Sequence, residues 1–146
     1  MILRRGSVPA ERRRGSAGWR TEVRLSEAGG LTQYGAYVVT LEARTPSSER
    51  HWHLNEDEFL YLLEGRAVVV ENDGEHEIGP GDAVCWPAGV ANAHAIRNDT
   101  DAPVTFLVVG TRAERDVVTY PDSGRVLRLE PPRAWGSRDP GAGESG

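Results

Sequence analysis

The chain contains no lysine: all 17 of its basic residues are arginine. That absence removes Schiff-base chemistry, pyridoxal-phosphate enzymes and P-loop nucleotidases, each of which needs a lysine amine. Cysteine occurs once, as Cys85. An intramolecular disulfide, a Cys-x-x-Cys redox pair and a cysteine-rich zinc ribbon are therefore excluded. No apolar run is long enough to span a membrane as a helix. Met1-Ile2-Leu3 is followed at once by Arg4-Arg5, without the apolar core of a signal peptide, so the chain is expected in the cytoplasm.

What is present points to one domain, since 146 residues can bury a core without staples. The net charge of −5 is unevenly spread. Residues 1–18 carry five arginines and one glutamate, hence +4, which leaves −9 on the rest. Arg12-Arg13-Arg14 alone would suit a phosphate or a membrane surface, but the acidic body would repel both. A solvated arm is expected, with no nucleic-acid or membrane partner. Residues 131–146 hold seven Pro or Gly and read as a second tail. Three regions follow: a flexible Arg-rich arm over 1–18, a folded domain over 19–130, and a Pro/Gly-rich tail over 131–146. Trp135 stands out in that tail, and is expected to dock on the body or on a partner subunit.

Between the tails, short apolar runs recur between turn signals. Trp19–Leu25, Leu31–Ala43, His51–His53, Glu58–Glu64, Arg66–Glu71 and Glu75–Ile78 come first. Ala83–Trp86, Ala93–Asn98, Val104–Gly110, Val117–Tyr120 and Val126–Leu129 follow. Many short strands at regular spacing mean an all-β sandwich or barrel. Asp73-Gly74 is a tight-hairpin signal.

Three of the four histidines fall in one pattern: His51-Trp52-His53, then Glu58, then His94. Alternate strand residues share a face, so His51 and His53 can reach one point while Trp52 faces away. Leu54–Asp57 reads as a turn that lets Glu58 open the returning strand. Three imidazoles and a carboxylate suit a divalent first-row metal. Asp57 is a competing ligand in place of Glu58, and His76 is expected to be exposed. Glu56 and Asp57 are expected to be solvated. Glu64 shares parity with Glu58 but lies about 20 Å down an extended strand. Leu60 and Leu62 share the face of Glu58, and Ile96 that of His94, whereas Phe59 and Tyr61 face outward. Cys85 is expected to be small and buried.

These motifs resemble a known family. His51-x-His53-x4-Glu58-x6-Gly65 is similar to the first cupin motif. Gly81-x5-Pro87-x-Gly89, followed by His94-x3-Asn98, is similar to the second. The resemblance covers about residues 19–130, and Tyr120-Pro121-Asp122 resembles the end of one group of small bacterial single-domain cupins. It departs from the family at Thr45, where a glycine usually stands. It departs again between Gly89 and His94, where four residues replace two, so that a strict count puts Asn92 in the ligand place. His94 is preferred because it restores the spacing to Asn98. The resemblance implies a double-stranded β-helix, or jelly roll, with turn glycines at 65, 81 and 89. It also implies one divalent transition metal (Fe, Mn, Ni or Zn) on His51, His53, Glu58 and His94.

Such a centre would carry a single positive charge and leave two positions open. The leading expectation is a metal-dependent enzyme on a small organic molecule, of oxygenase, isomerase or lyase type, with the catalytic group unassigned. The alternative is a non-catalytic module that binds or senses a small molecule or sugar. A third reading is a dimer whose metal only stiffens the barrel, though structural metals usually close their coordination. The arm before the first strand is too short for a helix-turn-helix unit. Exposed strand edges need cover. A homodimer is therefore expected, with Trp19–Leu25 as a strand that could exchange.

Overall fold

Period-two alternation broken by Gly, Pro and Asn-Asp clusters dictates short antiparallel strands. The computed structural model describes residues 1–15 and 17–135. The first half runs β1 (Ala10–Gly15), β2 (Gly18–Arg24), a one-turn helix α1 (Leu25–Ala28), β3 (Tyr34–Leu41), β4 (Trp52–His53) and β5 (Glu58–Glu64). It continues with β6 (Ala67–Glu71), β7 (Gly74–Ile78), β8 (Ala83–Trp86), β9 (Ala95–Arg97), β10 (Val104–Thr111), β11 (Asp116–Tyr120) and β12 (Arg125–Leu129).

The strands build two walls. One is a six-stranded sheet ordered β1-β2-β3-β10-β5-β8. The other joins two three-stranded sheets, β12-β11-β4 and β7-β6-β9. Antiparallel bridges His51↔His94 and Pro46↔Arg97 link their facing edges. This is the all-β jelly roll that the strand pattern and the family motifs led one to expect.

The core lies between the walls and follows from alternation. Tyr37, Val39 and Leu41 of β3, Leu60 and Leu62 of β5, and Val104 and Phe106 of β10 are all buried. Phe106 faces Val39 and Leu62 across its two neighbours. Deleting a buried ring of this kind costs about 3–5 kcal/mol. Between β5 and β10 the register slips, pairing Thr105 with Glu64 but Phe106 with Leu62. The extra residue, Leu63, makes a bulge, and both Leu63 and Glu64 end up exposed. Simple parity had put Glu64 on the inner face. Gly65 needs its lack of a side chain: its φ is +86°, and an added Cβ would sit 2.8 Å from the Pro103 carbonyl.

Three further expectations change. Residues 1–18 were read as a free arm, but Ala10–Gly15 pair residue for residue with β2. The arginine run hides this strand, because it has too few apolar residues to register as alternation. Trp19–Leu25, expected as an exchangeable strand, is flanked by β1 and β3 of its own chain. Cys85 is exposed rather than buried. It pairs with the outward Phe59, whereas the inner face is held by its neighbour Trp86. The hairpin between β6 and β7 turns on Asn72-Asp73, with Gly74 already paired to Glu71.

Candidate metal centre

Four side chains from three parts of the barrel converge at one end of its interior. The β4 segment supplies His51 and His53, one on each side of Trp52. Paired backbone hydrogen bonds, His51 N–H to His94 O at 3.1 Å and His94 N–H to His51 O at 2.9 Å, set the third imidazole beside the first. Glu58 begins β5, opposite Gly110 and Trp86. His51, His53 and His94 are all buried. The imidazole centroids of His53 and His94 lie 5.2 Å and 5.1 Å from that of His51.

Each ring is held from behind. His51 Nδ1 donates to the Glu49 carbonyl at 2.8 Å, His94 Nδ1 to the Asn92 carbonyl at 3.0 Å, and His53 Nδ1 to Asp116 Oδ2 at 2.6 Å. With Nδ1 bearing the hydrogen, the Nε2 atom of each neutral ring carries the lone pair that can ligate a metal, and all three face Glu58. Glu58 Oε1 lies 2.8 Å from His53 Nε2 and 3.7 Å from His51 Nε2. Its Oε2 contacts His94 Nε2. His94 is also stacked on Trp86, with centroids 3.8 Å apart and planes 7° from parallel.

The electrostatics are those of a cluster short of one cation. Burial pushes His53 down, but its hydrogen bond to Asp116 and the Glu58 carboxylate outweigh that and raise it to about 10. Burial likewise works to raise Glu58, yet the three imidazoles hold its carboxyl well below the usual range. The buried Nε2 atoms of His51 and His53 make no well-aligned hydrogen bond to any described residue. Orphaned ligand atoms in a dry site are costly. A divalent ion would satisfy them. His51, His53 and Glu58 offer atoms that all lie within 4.8 Å of one another, so this cluster could hold a metal.

The rival residues are placed elsewhere. Asp57 is exposed, and its Oδ1 accepts from Ala88 N–H at 2.7 Å. Asn92 turns away, its side-chain oxygen accepting from Asn72 N–H. His76 is exposed and paired with Asp73 at 2.7 Å. Glu56 corrects an expectation: it is buried, not solvated, and lies 3.6 Å from His53 Nδ1. Burial pushes its carboxyl up, the nearby Asp116 adds to that, and His53 and Arg133 oppose it. Glu56 and Asp116 thus stand on the Nδ1 side of His53, where they orient the ring. Asp116 was absent from the sequence reading because it adjoins the polar run Arg112–Arg115. Parity could have found it, since Asp116, Val118 and Tyr120 alternate on one buried face of β11.

A jelly-roll barrel with a buried three-histidine, one-glutamate cluster at one end defines the class. The chain belongs to the cupin superfamily: the cupin domain model matches residues 37–110. Among solved structures, it is similar to a sugar phosphate isomerase of the cupin superfamily from Silicibacter pomeroyi. The two share 41% identity over 90% of this chain and 88% of that one, with a TM-score of 0.82. A proposed sugar phosphate isomerase from Acidithiobacillus ferrooxidans is 30% identical over 88% of this chain and 86% of that one, with a TM-score of 0.83. A predicted oxalate decarboxylase from Thermotoga maritima is 25% identical over 77% of this chain and all (100%) of that one, with a TM-score of 0.66. A search of curated proteins gave no match. No helix among the described residues is long and apolar enough to cross a membrane.

Proposed function

We propose that this chain is a metal-dependent enzyme that isomerises a small sugar phosphate, with His51, His53, Glu58 and His94 as the protein ligands of one divalent ion. The observation that carries the metal is the convergence of three buried imidazoles on Glu58, with His51 Nε2 left without a hydrogen-bond partner among the described residues. The 41% identity to the Silicibacter isomerase over nearly the whole chain supports the substrate class. A divalent ion held here would supply Lewis acidity to the adjacent oxygens of a hydroxycarbonyl substrate.

The chain's own part is to hold that chemistry dry and in register. Trp86 buttresses His94 and keeps its ring from rotating. Asp116 fixes the tautomer and direction of His53. Leu60, Leu62 and Phe106 close the barrel below and exclude water. Fe, Mn, Ni and Zn all tolerate three imidazoles and a carboxylate, so cellular supply decides among them.

We also infer a homodimer through the outer face of the six-stranded sheet. Phe59, Cys85 and Val109 line an open groove there of about 320 Å³, next to the exposed Tyr61 and Leu63. A monomeric mass at micromolar concentration would refute this. The lone cysteine fits a reducing, cytoplasmic setting.

The test is interconversion of hexose and pentose phosphates by protein loaded in turn with each ion. Turnover that needs the metal and is lost in Glu58→Gln is expected. Ligand-induced thermal stabilisation without product would instead assign a non-catalytic binding module.

A further inference from the structure

His94 reaches the cluster from a stretch that side-chain packing hardly holds. β8 ends at Trp86 and β9 begins at Ala95, so no strand carries the chain between them. The four residues before His94 are Val90, Ala91, Asn92 and Ala93. Val90 is exposed, and of the two alanine methyls only that of Ala93 is buried. A segment this poor in apolar contacts samples many conformations unless its backbone is tied. His53 has no such problem, since it sits in β4 and pairs with Val118 of β11.

The ties come from outside the loop. Arg50 Nη1 donates to the Ala93 carbonyl at 3.3 Å and to Asn72 Oδ1 at 2.5 Å. Asn72 Nδ2 donates in turn to the Ala91 carbonyl at 2.7 Å, and the Asn72 N–H to Asn92 Oδ1 at 3.1 Å. Ala91, Asn92 and Ala93 are thus each bonded by Arg50 or Asn72. Asp122 grips the other edge of the guanidinium, with its two oxygens 2.8 Å from Nη2 and 3.1 Å from Nε. That planar fork fixes the direction of the Arg50 head group, which an ammonium could not match. The Arg50 side chain is 20% exposed and that of Asp122 is 59% exposed. An ion pair so open to water adds little to global stability. Its effect is local, because it aims Nη1 at the loop.

We propose that Arg50, held by Asp122 and joined to Asn72, is a latch that positions His94 as the fourth metal ligand. The latch rests on the metal reading above and deepens it. Arg50 is a positioning residue: it acts through His94 and stands next to His51 in the chain. The His94 backbone pairs with that of His51, and Arg50 holds the carbonyl of the residue just before it. The His94 ring then has two supports, the Asn92 carbonyl at Nδ1 and the face of Trp86. The first support moves with the loop, since Asn92 is itself tied to Asn72. Releasing the latch frees that carbonyl, and with it the direction of His94 Nε2. The latch also gives the two extra residues between Gly89 and His94 a place. Asn92, which a strict motif count puts in the ligand position, serves as a fastening point for the longer loop.

The experiment is a double-mutant cycle on full-length protein, read by affinity for Co2+, a spectroscopic stand-in for the candidate ions. Competition with a chelator gives the dissociation constant for wild type, Arg50→Gln, His94→Ala and the double variant. His51, His53 and Glu58 still offer three ligand atoms without His94, so binding stays measurable. Arg50→Gln should weaken Co2+ about tenfold, as expected of a residue that orients a ligand. It should also shift the visible Co2+ spectrum toward that of His94→Ala. In the His94→Ala background the same change should matter less than about twofold, because no ring is left to position. Asp122→Ala should weaken binding about threefold, and Asp122→Glu, which keeps the carboxylate, should restore it. Equal effects of Arg50→Gln with and without His94 overturn the proposal, since a merely structural role would act in both backgrounds. Asp122→Ala changes only a surface residue and tests the latch even if Arg50→Gln fails to fold: an unchanged affinity overturns it. Wild type that binds no Co2+ overturns the metal reading and the latch together. Wild-type binding that ignores both Arg50 and Asp122 overturns the latch alone.

Discussion

Two polar clusters are buried in this barrel, and they differ in how fully their polar atoms are used. Asn98 is fully buried, and every polar atom of its side chain is used. Its amide donates to the carbonyls of Leu41, Glu42 and Ala102 at 3.4, 3.0 and 2.8 Å. Its oxygen accepts from the backbone and hydroxyl of Thr100 at 3.0 and 2.7 Å. His51 is also buried, yet its Nε2 has no hydrogen-bond partner among the described residues, and the neighbouring imidazoles of His53 and His94 point their Nε2 atoms at the same carboxylate. A saturated network fixes a loop and has nothing to offer a ligand. An unsaturated one pays a desolvation cost that only a bound group repays. The contrast separates structure from function without reference to which residues the family motifs contain.

The largest way to break that contrast is at the histidines. His51→Ala/His53→Ala should take the protein from about one transition metal per chain to none, read by elemental analysis of untagged protein. Metal retained in the double variant would show that the orphaned atoms are not ligands. Asn98→Ala should do the reverse. It strands three carbonyls and should cost about 3 kcal/mol, lowering Tm by roughly 10 °C in a domain of this size. Metal stoichiometry should not change. If Asn98→Ala loses metal at temperatures where it remains folded, the two clusters are not independent.

The same contrast explains what could be read from the sequence. The histidines and Glu58 were legible because strand parity and short spacings carry them: one residue separates His51 from His53, and one turn brings Glu58 back. The strands were legible for the same reason, from β2 to β12. What period-two reading misses is whatever breaks the period or comes from far away. The Leu63 bulge turned Glu64 outward. The β1 strand has arginines where apolar residues would have announced it. Asp116 and Glu56 reach His53 from 63 and 3 residues away, and neither carries a spacing signal. Trp135 was expected to dock on the body or on a partner, and it docks on the body. Its partners Arg24 and Arg112 lie 111 and 23 positions away, beyond any local pattern.

Asp116 offers a smaller and sharper test, because it acts on the metal only through His53. Asp116→Asn keeps the shape and removes the charge. It should lower metal affinity about 10- to 100-fold while leaving one ion per chain at saturation, measured by competition with a chelator. A drop in stoichiometry instead of affinity would make Asp116 a ligand in its own right, in the neighbouring cluster that it forms with His53 and Glu56.

The smallest effect is on the pH dependence of stability, and it again divides the two clusters. In the metal-free protein, His53 is raised from 6.5 to about 10. A group whose folded value is raised contributes stability that is fully present below its unfolded value and lost as pH climbs through the folded one. Glu58 and Asp116 are lowered from 4.5 and 3.8, so their contribution is present above those values and is lost as pH falls further. The Tm of metal-free protein should therefore be highest between about pH 5 and 6.5 and decline toward pH 10. Bound metal requires a neutral His53, so the loaded protein should lack the alkaline decline, and the gap between the two Tm curves should widen over that range. The Asn98 network holds only amides, hydroxyls and backbone, none of which titrates. Asn98→Ala should thus shift the metal-free curve downward without changing its shape. A metal-free curve that stays flat from pH 6.5 to 10 would mean that His53 carries no extra proton, and that Glu58 is not the partner its 2.8 Å contact makes it.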